Sequence, residues 1–414
     1  MSLRYIDHKL CFDNINLKTL AEEYKTPLFV YSYDTIKRNY NECESSLKDL
    51  KHIIFYALKA NSNLNIINCI KDLGSGFDTV SGGEIFRALK IKADPKKIVY
   101  SGVGKTIEDI DYALNSNILL FNVESVSELN TINNRAIALN KKADISIRVN
   151  PDVDPQTHPY ICTGLEKNKF GIDIKQAFDV YKYAVELNGI IPKGIHMHIG
   201  SQLLDVMPFK DAFVKVFDLY KGLKENGLKL DYINIGGGMG ICYNKKTQTA
   251  PAYSDLIKGT IHDGIKNNDL TLLLEPGRSI IGNAGILITK VLYKKSNKQK
   301  NFVIVDAGMN DAPRPSLYSA YHEITPVLES KKHEKEIVDV VGPICESTDF
   351  LAKDREIEKV GEGDYLAVES SGAYCSSMSS NYNSRLKPAE VMIKNGKTIV
   401  IRKKDSFDDL IEMK

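Results

Sequence analysis

A single lysine interrupts an apolar stretch that is typical of a buried strand. Residues 55–61 read FYALKAN, and Lys59 is the only charged residue among them. One interpretation is an ordinary surface charge, because the chain contains 55 lysine and arginine residues. However, strand ends in α/β folds also face the ligand crevice, and a lysine amine there can bond to a carbonyl group. Lys59 is therefore a candidate for covalent catalysis, and the surrounding motifs must decide.

Three consecutive glycines end a second strand-like stretch, INIGGGMG, at residues 233–240. Because glycine has no Cβ atom, backbone N–H groups can approach an anion closely. The segment predicts either a phosphate cradle or only a tight turn. It is not a dinucleotide-binding fingerprint, because the GxGxxG spacing is absent.

The segment HMHIGSQ, residues 196–202, contains two histidines at alternate positions. Because side chains alternate along a strand, His196 and His198 are expected on the same side. A metal site is one interpretation, but no acidic or histidine cluster at other strand ends completes a ligand set. We therefore expect no metal, and we favour His198 stacking on a flat ring and His196 packed in the core.

A carboxylate and a guanidinium follow an apolar run in LLLEPGRSI, residues 272–280. A carboxylate that emerges from a buried strand, as Glu275 does, is costly unless it meets a partner. That partner is either a cationic ring nitrogen or Arg278 across the Pro-Gly turn.

These side chains together describe a site for pyridoxal phosphate. The cofactor requires a lysine that forms a Schiff base and an acid at its pyridinium nitrogen. Lys59 and Glu275 supply those groups, the glycines supply a phosphate cup, and His198 supplies a stacking ring. The sequence therefore predicts pyridoxal 5'-phosphate as the cofactor.

The elements that position these residues alternate between short β-branched or aromatic runs and amphipathic stretches, which predicts a parallel sheet. Helical spacing is clearest in residues 174–189 and 208–227. Eight strand–helix units fit a closed (β/α)8 barrel of the TIM type, in which the C-terminal ends of the strands carry the chemistry. The predicted strands are residues 53–59, 77–81, 97–102, 118–123, 144–150, 193–200, 230–237 and 271–276.

After residue 280 the pattern changes to strands separated by turn residues, which predicts a second, mainly β, C-terminal domain. The fold class is therefore α/β plus β. We predict that residues 26–278 form the barrel and that residues 1–25 join residues 279–414 in the β domain. The strand-like segments of this domain are residues 285–295, 300–308, 335–343, 364–370 and 397–404.

Composition narrows the class of protein. A net charge of +2 argues against a nucleic-acid-binding surface, and no apolar run is long enough to span a membrane. Seven scattered cysteines without a CxxC pair favour reduced thiols. The first residues contain no apolar segment of signal-peptide length, so we expect a cytoplasmic location.

In their order along the chain, the four motifs resemble those of the fold-type III pyridoxal-phosphate decarboxylases. This group contains ornithine, arginine and diaminopimelate decarboxylases and is related to alanine racemase. The later segments most closely resemble the diaminopimelate decarboxylases of the group, and the resemblance covers essentially the whole chain. Those segments are DAGMNDAPRPSLYSAYH (306–322), GPICESTDFLA (342–352) and SGAYCSSMSSNYNSR (371–385).

The resemblance implies an activity and an assembly. The activity is decarboxylation of meso-2,6-diaminopimelate to L-lysine and carbon dioxide, the last step of lysine biosynthesis, in an alanine racemase-like architecture. In the family the segment that contains Cys345 and Glu346 comes from the neighbouring subunit. A homodimer with shared active sites and a small amino-acid substrate is therefore implied.

The resemblance also implies residue roles. The catalytic residues are Lys59, which carries the cofactor, and Cys345. The residues that contact the cofactor are Lys59, His198, Ser201, Gly237, Gly238, Glu275, Gly277, Arg278 and Tyr374. The residues that bind substrate are Arg278, Arg314, Tyr318, Glu346 and Tyr374.

The sequence departs from the family pattern at three places. Thr348 and Cys375 stand where glycine is usual, and residues 311–315 read DAPRP where an apolar pair usually precedes the arginine. These changes affect loop shape or substrate fit and remove no group that the chemistry needs.

Substrate choice leaves alternatives. Two arginines favour a dicarboxylic substrate, because ornithine or lysine would leave buried guanidinium groups unpaired. The main alternative is a related decarboxylase that acts on another basic amino acid or on carboxynorspermidine. A racemase of the same fold, a non-catalytic relative and a metal hydrolase that uses His196 and His198 are further alternatives.

Overall fold

The computed structural model describes residues 3–154, 169–330 and 333–411. His158 and Cys162, which the sequence analysis considered as an unsupported loop histidine and a reduced thiol, lie outside these residues. The chain divides into two compact units. The first, which we call the β unit, comprises residues 1–38, 242–248 and 280–414, and the second, the barrel unit, comprises residues 39–241 and 249–279.

The N-terminal segment begins with three short antiparallel strands, β1 (Leu3–Ile6), β2 (Lys9–Phe12) and β3 (Ile15–Asn16). Helix α1 (Leu17–Tyr24), strand β4 (Leu28–Ser32) and helix α2 (Tyr33–Ser45) follow. Helix α1 starts where the Asn16 side chain accepts a hydrogen bond from the Lys18 N–H, a standard N-cap. Strand β4 pairs within the sheet of the β unit, although it follows the boundary that the sequence predicts at residue 25.

Eight parallel strands close into a barrel. Neighbouring strands of the ring pair in the order β5, β6, β7, β8, β9, β11, β12 and β13. Strand β13 then pairs with β5, which closes the ring. Strand β10 pairs with β9 outside this ring. The strands are β5 (His52–Ala57), β6 (Gly76–Thr79), β7 (Ile98–Tyr100), β8 (Leu120–Val123), β9 (Ala143–Asn150), β10 (Ile172–Asp173), β11 (Ile190–His196), β12 (Tyr232–Asn234) and β13 (Thr271–Leu274).

Helices follow the barrel strands along the chain. Several begin at a serine or threonine whose hydroxyl accepts a backbone N–H, as Ser81, Thr106 and Ser125 do. The helices are α3 (Leu64–Asp72), α4 (Gly82–Lys90), α5 (Ile107–Ser116), α6 (Val126–Ala138), α7 (Ile174–Glu186), α8 (Met207–Glu225), α9 (Tyr253–Ile257), α10 (Thr260–Lys266) and α11 (Arg278–Ile281).

The barrel interior is filled by large apolar side chains. Phe55, Val99, Leu120 and Leu273 form one buried cluster, although β7 and β13 are not neighbours in the ring. Side chains that meet from non-adjacent strands must cross the interior, so this cluster is a packed core beneath the strand ends. The candidate site residues come directly after the strands that contribute to this core.

The β unit contains a sheet whose order is β18-β17-β15-β14-β4-β20-β21, and β19 joins it through β14 and β16. A core of apolar side chains lies between this sheet and helix α1, where Phe12, Leu17 and Val30 are fully buried. The remaining elements are β14 (Gly285–Ser296), β15 (Asn301–Val305), α12 (Arg314–Tyr318), β16 (Ile324–Pro326), β17 (Lys335–Val341), β18 (Phe350–Glu358), β19 (Tyr365–Val368), β20 (Ala389–Lys394) and β21 (Lys397–Arg402).

The structure confirms the predicted fold class, a (β/α)8 barrel with a second, mainly β domain. All eight predicted barrel strands are present, and the glycine segment follows the seventh of them. Several predicted strand ends are too long: β5 ends at Ala57 rather than residue 59, and β11 ends at His196 rather than residue 200. His198 therefore lies on the loop after the strand, and the alternation of strand side chains does not determine where it points.

No helix among residues 3–154, 169–330 and 333–411 has both the length and the apolar character that a membrane crossing requires.

The interior cluster gives a stability prediction. Phe55 is fully buried, so Phe55→Ala should lower the free energy of unfolding by about 3–5 kcal/mol. Phe86 on α4 is 57% exposed, so Phe86→Ala should change it by no more than about 0.5 kcal/mol. Urea unfolding followed by circular dichroism measures both. Equal effects of the two substitutions would contradict a packed barrel interior.

Candidate active site

Lys59 lies just beyond the end of β5, on a single turn of 3-10 helix over Leu58–Ala60. Its Nζ atom is 2.6 Å from Oδ2 of Asp78, whose side chain is fully buried. Burial raises the pKa of Asp78, and the charge of Glu275 raises it further, whereas the Lys59 ammonium lowers it. The lysine amine is thus held at the barrel mouth by a carboxylate whose charge it stabilises.

A continuous line of hydrogen bonds connects this pair to Glu275, which follows β13, the ring neighbour of β5. Oγ of Ser101 donates to Oδ1 of Asp78 at 2.8 Å. The Asn122 side-chain amide donates to Ser101 Oγ at 2.9 Å and to Oε1 of Glu275 at 3.0 Å. The network therefore joins the amine of Lys59 to a carboxylate that follows β13.

Glu275 is 5% exposed and accepts a second amide hydrogen bond, from Asn234 at 2.7 Å. Its other oxygen lies 3.2 Å from Nε2 of His196. Burial alone would raise the pKa of Glu275, but His196 and Lys59 hold it far below its ordinary value. Glu275 is therefore an ionised acceptor, which suits a protonated ring nitrogen.

His198 is positioned by the glycine loop. Its Nδ1 atom accepts the backbone N–H of Gly237 at 3.1 Å, so that nitrogen carries no proton. Removal from water, followed by the charges of Arg148 and Lys59, holds the pKa of His198 well below its ordinary value. A neutral imidazole presents a flat, uncharged face, which suits stacking on an aromatic ring.

The three glycines are required by the close approach of neighbouring backbone. Gly236 and Gly238 have φ angles of 68° and 111°, which favour glycine. A Cβ atom on Gly237 would lie 2.1 Å from the Glu275 carbonyl oxygen. Asn234 fixes the start of this loop, because its Oδ1 accepts the Gly236 N–H at 2.9 Å.

Two polar side chains stand near each other beside these glycines. Nη2 of Arg278 donates to Oγ of Ser201 at 3.0 Å, and Arg278 is 7% exposed. Gly277 precedes the arginine, and a Cβ there would lie 2.9 Å from Cβ of Ala60 on the lysine turn. A buried guanidinium, a hydroxyl and close-packed glycines form a suitable receptor for a phosphate.

The barrel residues therefore fit pyridoxal phosphate by their own chemistry. Lys59 supplies the amine, Glu275 supplies an ionised acceptor, His198 supplies a neutral flat ring, and the 236–238 loop cannot accommodate side chains. Among the described residues, no group of three or more histidine, cysteine, aspartate or glutamate side chains could hold a metal ion.

Arg314, at the start of α12, belongs to the β unit, as do Tyr318, Glu346 and Tyr374, whereas Arg278 belongs to the barrel unit. Arg314 is 4% exposed, and no ion pair between described residues includes it. Its guanidinium lies 4.5 Å from the centre of the Tyr243 ring. Tyr318 and Tyr374 are half-buried, and Tyr374 has a φ of 58°.

Cys345 and Glu346 are exposed on a loop whose backbone is firmly held. Oδ2 of Asp349 accepts the Ile344 N–H at 2.6 Å, and Oδ1 of Asn383 accepts the Cys345 N–H at 2.9 Å. The loop therefore presents a thiol and a carboxylate to the outside of the β unit in a fixed conformation.

Sequence reasoning missed several residues that the structure places in these networks. Asn122 and Asn234 are buried polar residues inside apolar strands, a signal that was available in LLFNV and YINIG. His322 and Tyr243, which both contact Arg314, gave no sequence signal because they are brought together only by the fold.

The glycine loop gives a prediction with a matched control. Gly237→Ala should displace backbone, lower stability by roughly 1–3 kcal/mol and reduce retention of pyridoxal phosphate, because no side-chain movement can relieve the contact. Gly104→Ala meets no atom within 4 Å and should change neither quantity. Thermal unfolding and cofactor absorbance measure the two effects. Normal cofactor retention in Gly237→Ala would contradict the cradle.

Known proteins share both the sequence and the fold. Residues 33–282 match the family model for the pyridoxal binding domain of pyridoxal-dependent decarboxylases. A diaminopimelate decarboxylase of Aquifex aeolicus is 50% identical over 410 residues, 99% of this chain and 96% of that protein. One of Haemophilus influenzae is 46% identical over 407 residues, 98% of this chain and 97% of that protein.

A solved structure of the same kind of enzyme is also similar to this chain. The crystal structure of diaminopimelate decarboxylase from Helicobacter pylori complexed with L-lysine has a TM-score of 0.91 and 46% identity, covering 95% of this chain and 98% of that chain. This chain therefore belongs to the diaminopimelate decarboxylase family of pyridoxal-dependent decarboxylases.

Proposed function

We propose that this protein decarboxylates meso-2,6-diaminopimelate to L-lysine and carbon dioxide with pyridoxal phosphate as its cofactor. The observation that carries the proposal is the buried network that links the Lys59 amine to the ionised Glu275 carboxylate inside one barrel. The full-length similarity to diaminopimelate decarboxylases specifies which member of the decarboxylase group is meant.

The barrel residues hold the cofactor in this proposal. Lys59 carries it covalently, His198 stacks on its ring, and Glu275 pairs with its ring nitrogen. When bound, the cofactor supplies an electron-accepting ring for the electrons of the breaking carbon–carboxylate bond. The phosphate is held by Ser201, Gly237, Gly238, Gly277 and Arg278, and Tyr374 of the β unit adds a further contact.

The chain's own residues then control protons. Glu275, ionised in the barrel, keeps a proton on the ring nitrogen. Asp78, 2.6 Å from Nζ of Lys59, holds the ammonium form of that lysine when it is not bonded to the cofactor. The Cys345 thiol donates a proton to the substrate's α-carbon after carbon dioxide has left, and Lys59 is the alternative donor.

Specificity follows from charges at the distal end of the substrate. Arg278 and Arg314 bind the distal carboxylate, Glu346 binds the distal ammonium group, and Tyr318 completes the contacts. Arg314 is 4% exposed, so a substrate without that carboxylate leaves a buried guanidinium unsatisfied. Such a loss costs roughly 1–3 kcal/mol, or about 5- to 150-fold in kcat/KM.

We also propose a homodimer in which Cys345 and Glu346 serve the neighbouring subunit's site. The support is that both side chains are exposed on a loop whose backbone is fixed by Asp349 and Asn383. We further propose a cytoplasmic location, because the scattered cysteines without paired spacing suit a reducing compartment.

Lys59 variants test the covalent role. Lys59→Ala should lower kcat for carbon dioxide release from meso-diaminopimelate by roughly 10²–10⁴-fold. Lys59→Arg keeps the charge beside Asp78 and should be as inactive, which separates covalent attachment from ion pairing. Near-normal turnover by either variant would remove the covalent role.

Substrate comparison tests the specificity. Purified protein should release carbon dioxide from meso-diaminopimelate with a kcat/KM at least about tenfold above those for ornithine, arginine, lysine and carboxynorspermidine. Faster decarboxylation of one of those compounds would replace the proposed substrate with the alternative.

Asn122 tests the network. Asn122→Ala removes one amide donor from a buried carboxylate, so the pKa of Glu275 should rise and kcat should fall roughly tenfold or more. Since the ionised form is required, the acidic limb of the kcat–pH profile should move to higher pH. Asn133→Ala removes a buried asparagine on α6 that bonds Gly189 instead, and it should leave the profile in place. Identical profiles for both variants would contradict the coupling.

A further inference from the structure

The Arg314 guanidinium is a buried cation whose described contacts include no carboxylate. Nη1 lies 2.7 Å from Nε2 of His322, and the Tyr243 ring lies 4.5 Å from the guanidinium carbon. Its Nε atom has no hydrogen-bond partner among the described residues. A buried guanidinium that is held only by neutral groups retains its demand for an anion.

The contacts of His322 determine its protonation state. His322 is fully buried, and its Nδ1 atom lies 2.8 Å from the backbone oxygen of Glu369. A carbonyl oxygen only accepts and a guanidinium only donates. Nδ1 must therefore carry the proton and Nε2 the lone pair, which means that the imidazole is neutral and has a single tautomer.

The remaining groups around His322 favour that neutral form. Nη1 of Arg355, on β18, donates to the His322 backbone oxygen at 2.6 Å, which places a second guanidinium beside the residue. The Tyr243 ring meets the imidazole edge-on at 5.2 Å and 74°. The two oxygens of the Glu369 carboxylate bind Lys245 and Thr325, whereas its backbone oxygen contacts the imidazole.

Tyr321, the residue before His322, is also held by its neighbours. The Arg355 guanidinium stacks 3.8 Å from the centre of the Tyr321 ring, and Tyr321 donates its hydroxyl proton to Glu323 at 2.7 Å. The titratable and charged groups that face His322 are therefore Arg314, Arg355, Tyr243, Tyr321 and the Glu369–Lys245 pair. A proton on Nε2 would remove the lone pair that Arg314 requires and would place two cations 2.7 Å apart.

We propose that His322, in its neutral Nδ1-protonated form, is a positioning residue that holds Arg314 ready for the distal carboxylate of the substrate, so that protonation of His322 weakens substrate binding. The inference rests on the proposed function, because it assumes that Arg314 receives that carboxylate. It adds an acid-sensitive control of substrate affinity that is separate from the proton chemistry in the barrel. His322 makes no contact with substrate in this account and acts only through Arg314.

Two substitutions at His322 separate the proposal from a purely structural role. His322→Phe keeps a ring but has no acceptor, so KM for meso-diaminopimelate should rise roughly tenfold or more, with kcat within about twofold of the parent. His322→Gln supplies a carbonyl acceptor that does not titrate, so its KM should stay within about threefold of the parent at pH 8. Between pH 8 and 5.5 the parent KM should rise, whereas the KM of His322→Gln should change less.

Two controls accompany these variants. His333→Gln alters an exposed histidine of the same unit that pairs with Glu358, and it should follow the parent at every pH. Cofactor absorbance should be the same in all variants, which reports an intact barrel. An unchanged KM in His322→Phe, or equal acid sensitivity of KM in parent and His322→Gln, would overturn the proposal.

A failure of the proposed function itself would look different. In that case the parent would release no carbon dioxide from meso-diaminopimelate at any pH. Calorimetric titration with meso-diaminopimelate would still decide the inference: tighter binding at pH 8 than at pH 5.5 in the parent but not in His322→Phe supports it. Equal binding by the two proteins, or no binding by either, overturns it.

Discussion

A carboxylate inside a protein is unstable as an anion unless polar or charged groups surround it, and Glu275 has such groups on three sides. Asn122 and Asn234 supply two amide hydrogen bonds, and His196 lies against the second oxygen. These groups come from three different strands of the barrel, so the closed ring is what brings them together. Asn122 also connects to the Lys59–Asp78 pair through Ser101, and Asn234 also holds the start of the glycine loop, so both features are coupled to this arrangement.

The network also explains why polar residues are found in a barrel interior that is otherwise apolar. Asp78 and Glu275 are both buried acids, and each raises the cost of the other's charge. Ser101 donates a hydrogen bond to Asp78, and Asn122 donates one to Glu275. The Lys59 ammonium offsets the charge of Asp78. The β unit presents the opposite case, in which the Arg314 cation is buried among neutral groups and retains its demand for an anion. Asp78 and Glu275 are therefore satisfied within the barrel, whereas the described contacts of Arg314 include no anion.

Much of the fold and part of the site could be predicted from the sequence. The alternation of short strands and amphipathic helices predicted the barrel, and charged residues at the ends of apolar runs identified Lys59 and Glu275. The roles of Cys345, Arg314 and Tyr374 came only from the family resemblance, and they remain proposals. Strands β4, β18 and β20 were not predicted. Each is stabilised by backbone pairing with segments distant in the chain, which the local sequence pattern does not report.

The rest of the site depends on contacts between residues far apart in the chain. Asn122 and Glu275 are 153 positions apart, and no local pattern reports that their side chains meet. His198 lies two residues beyond the end of β11, where strand alternation no longer orients side chains, and its Nδ1 atom accepts the N–H of Gly237 instead. His322 has no motif, and its importance is visible only from the two atoms that its nitrogens face.

The most direct measurement of the central claim is borohydride reduction of the purified, cofactor-loaded protein followed by mass spectrometry of its peptides. The account predicts loss of the visible absorbance and a single reduced pyridoxal-phosphate adduct on the peptide that contains FYALKAN, at Lys59. An adduct on another lysine, or decarboxylase activity in a protein that yields no adduct, would contradict it.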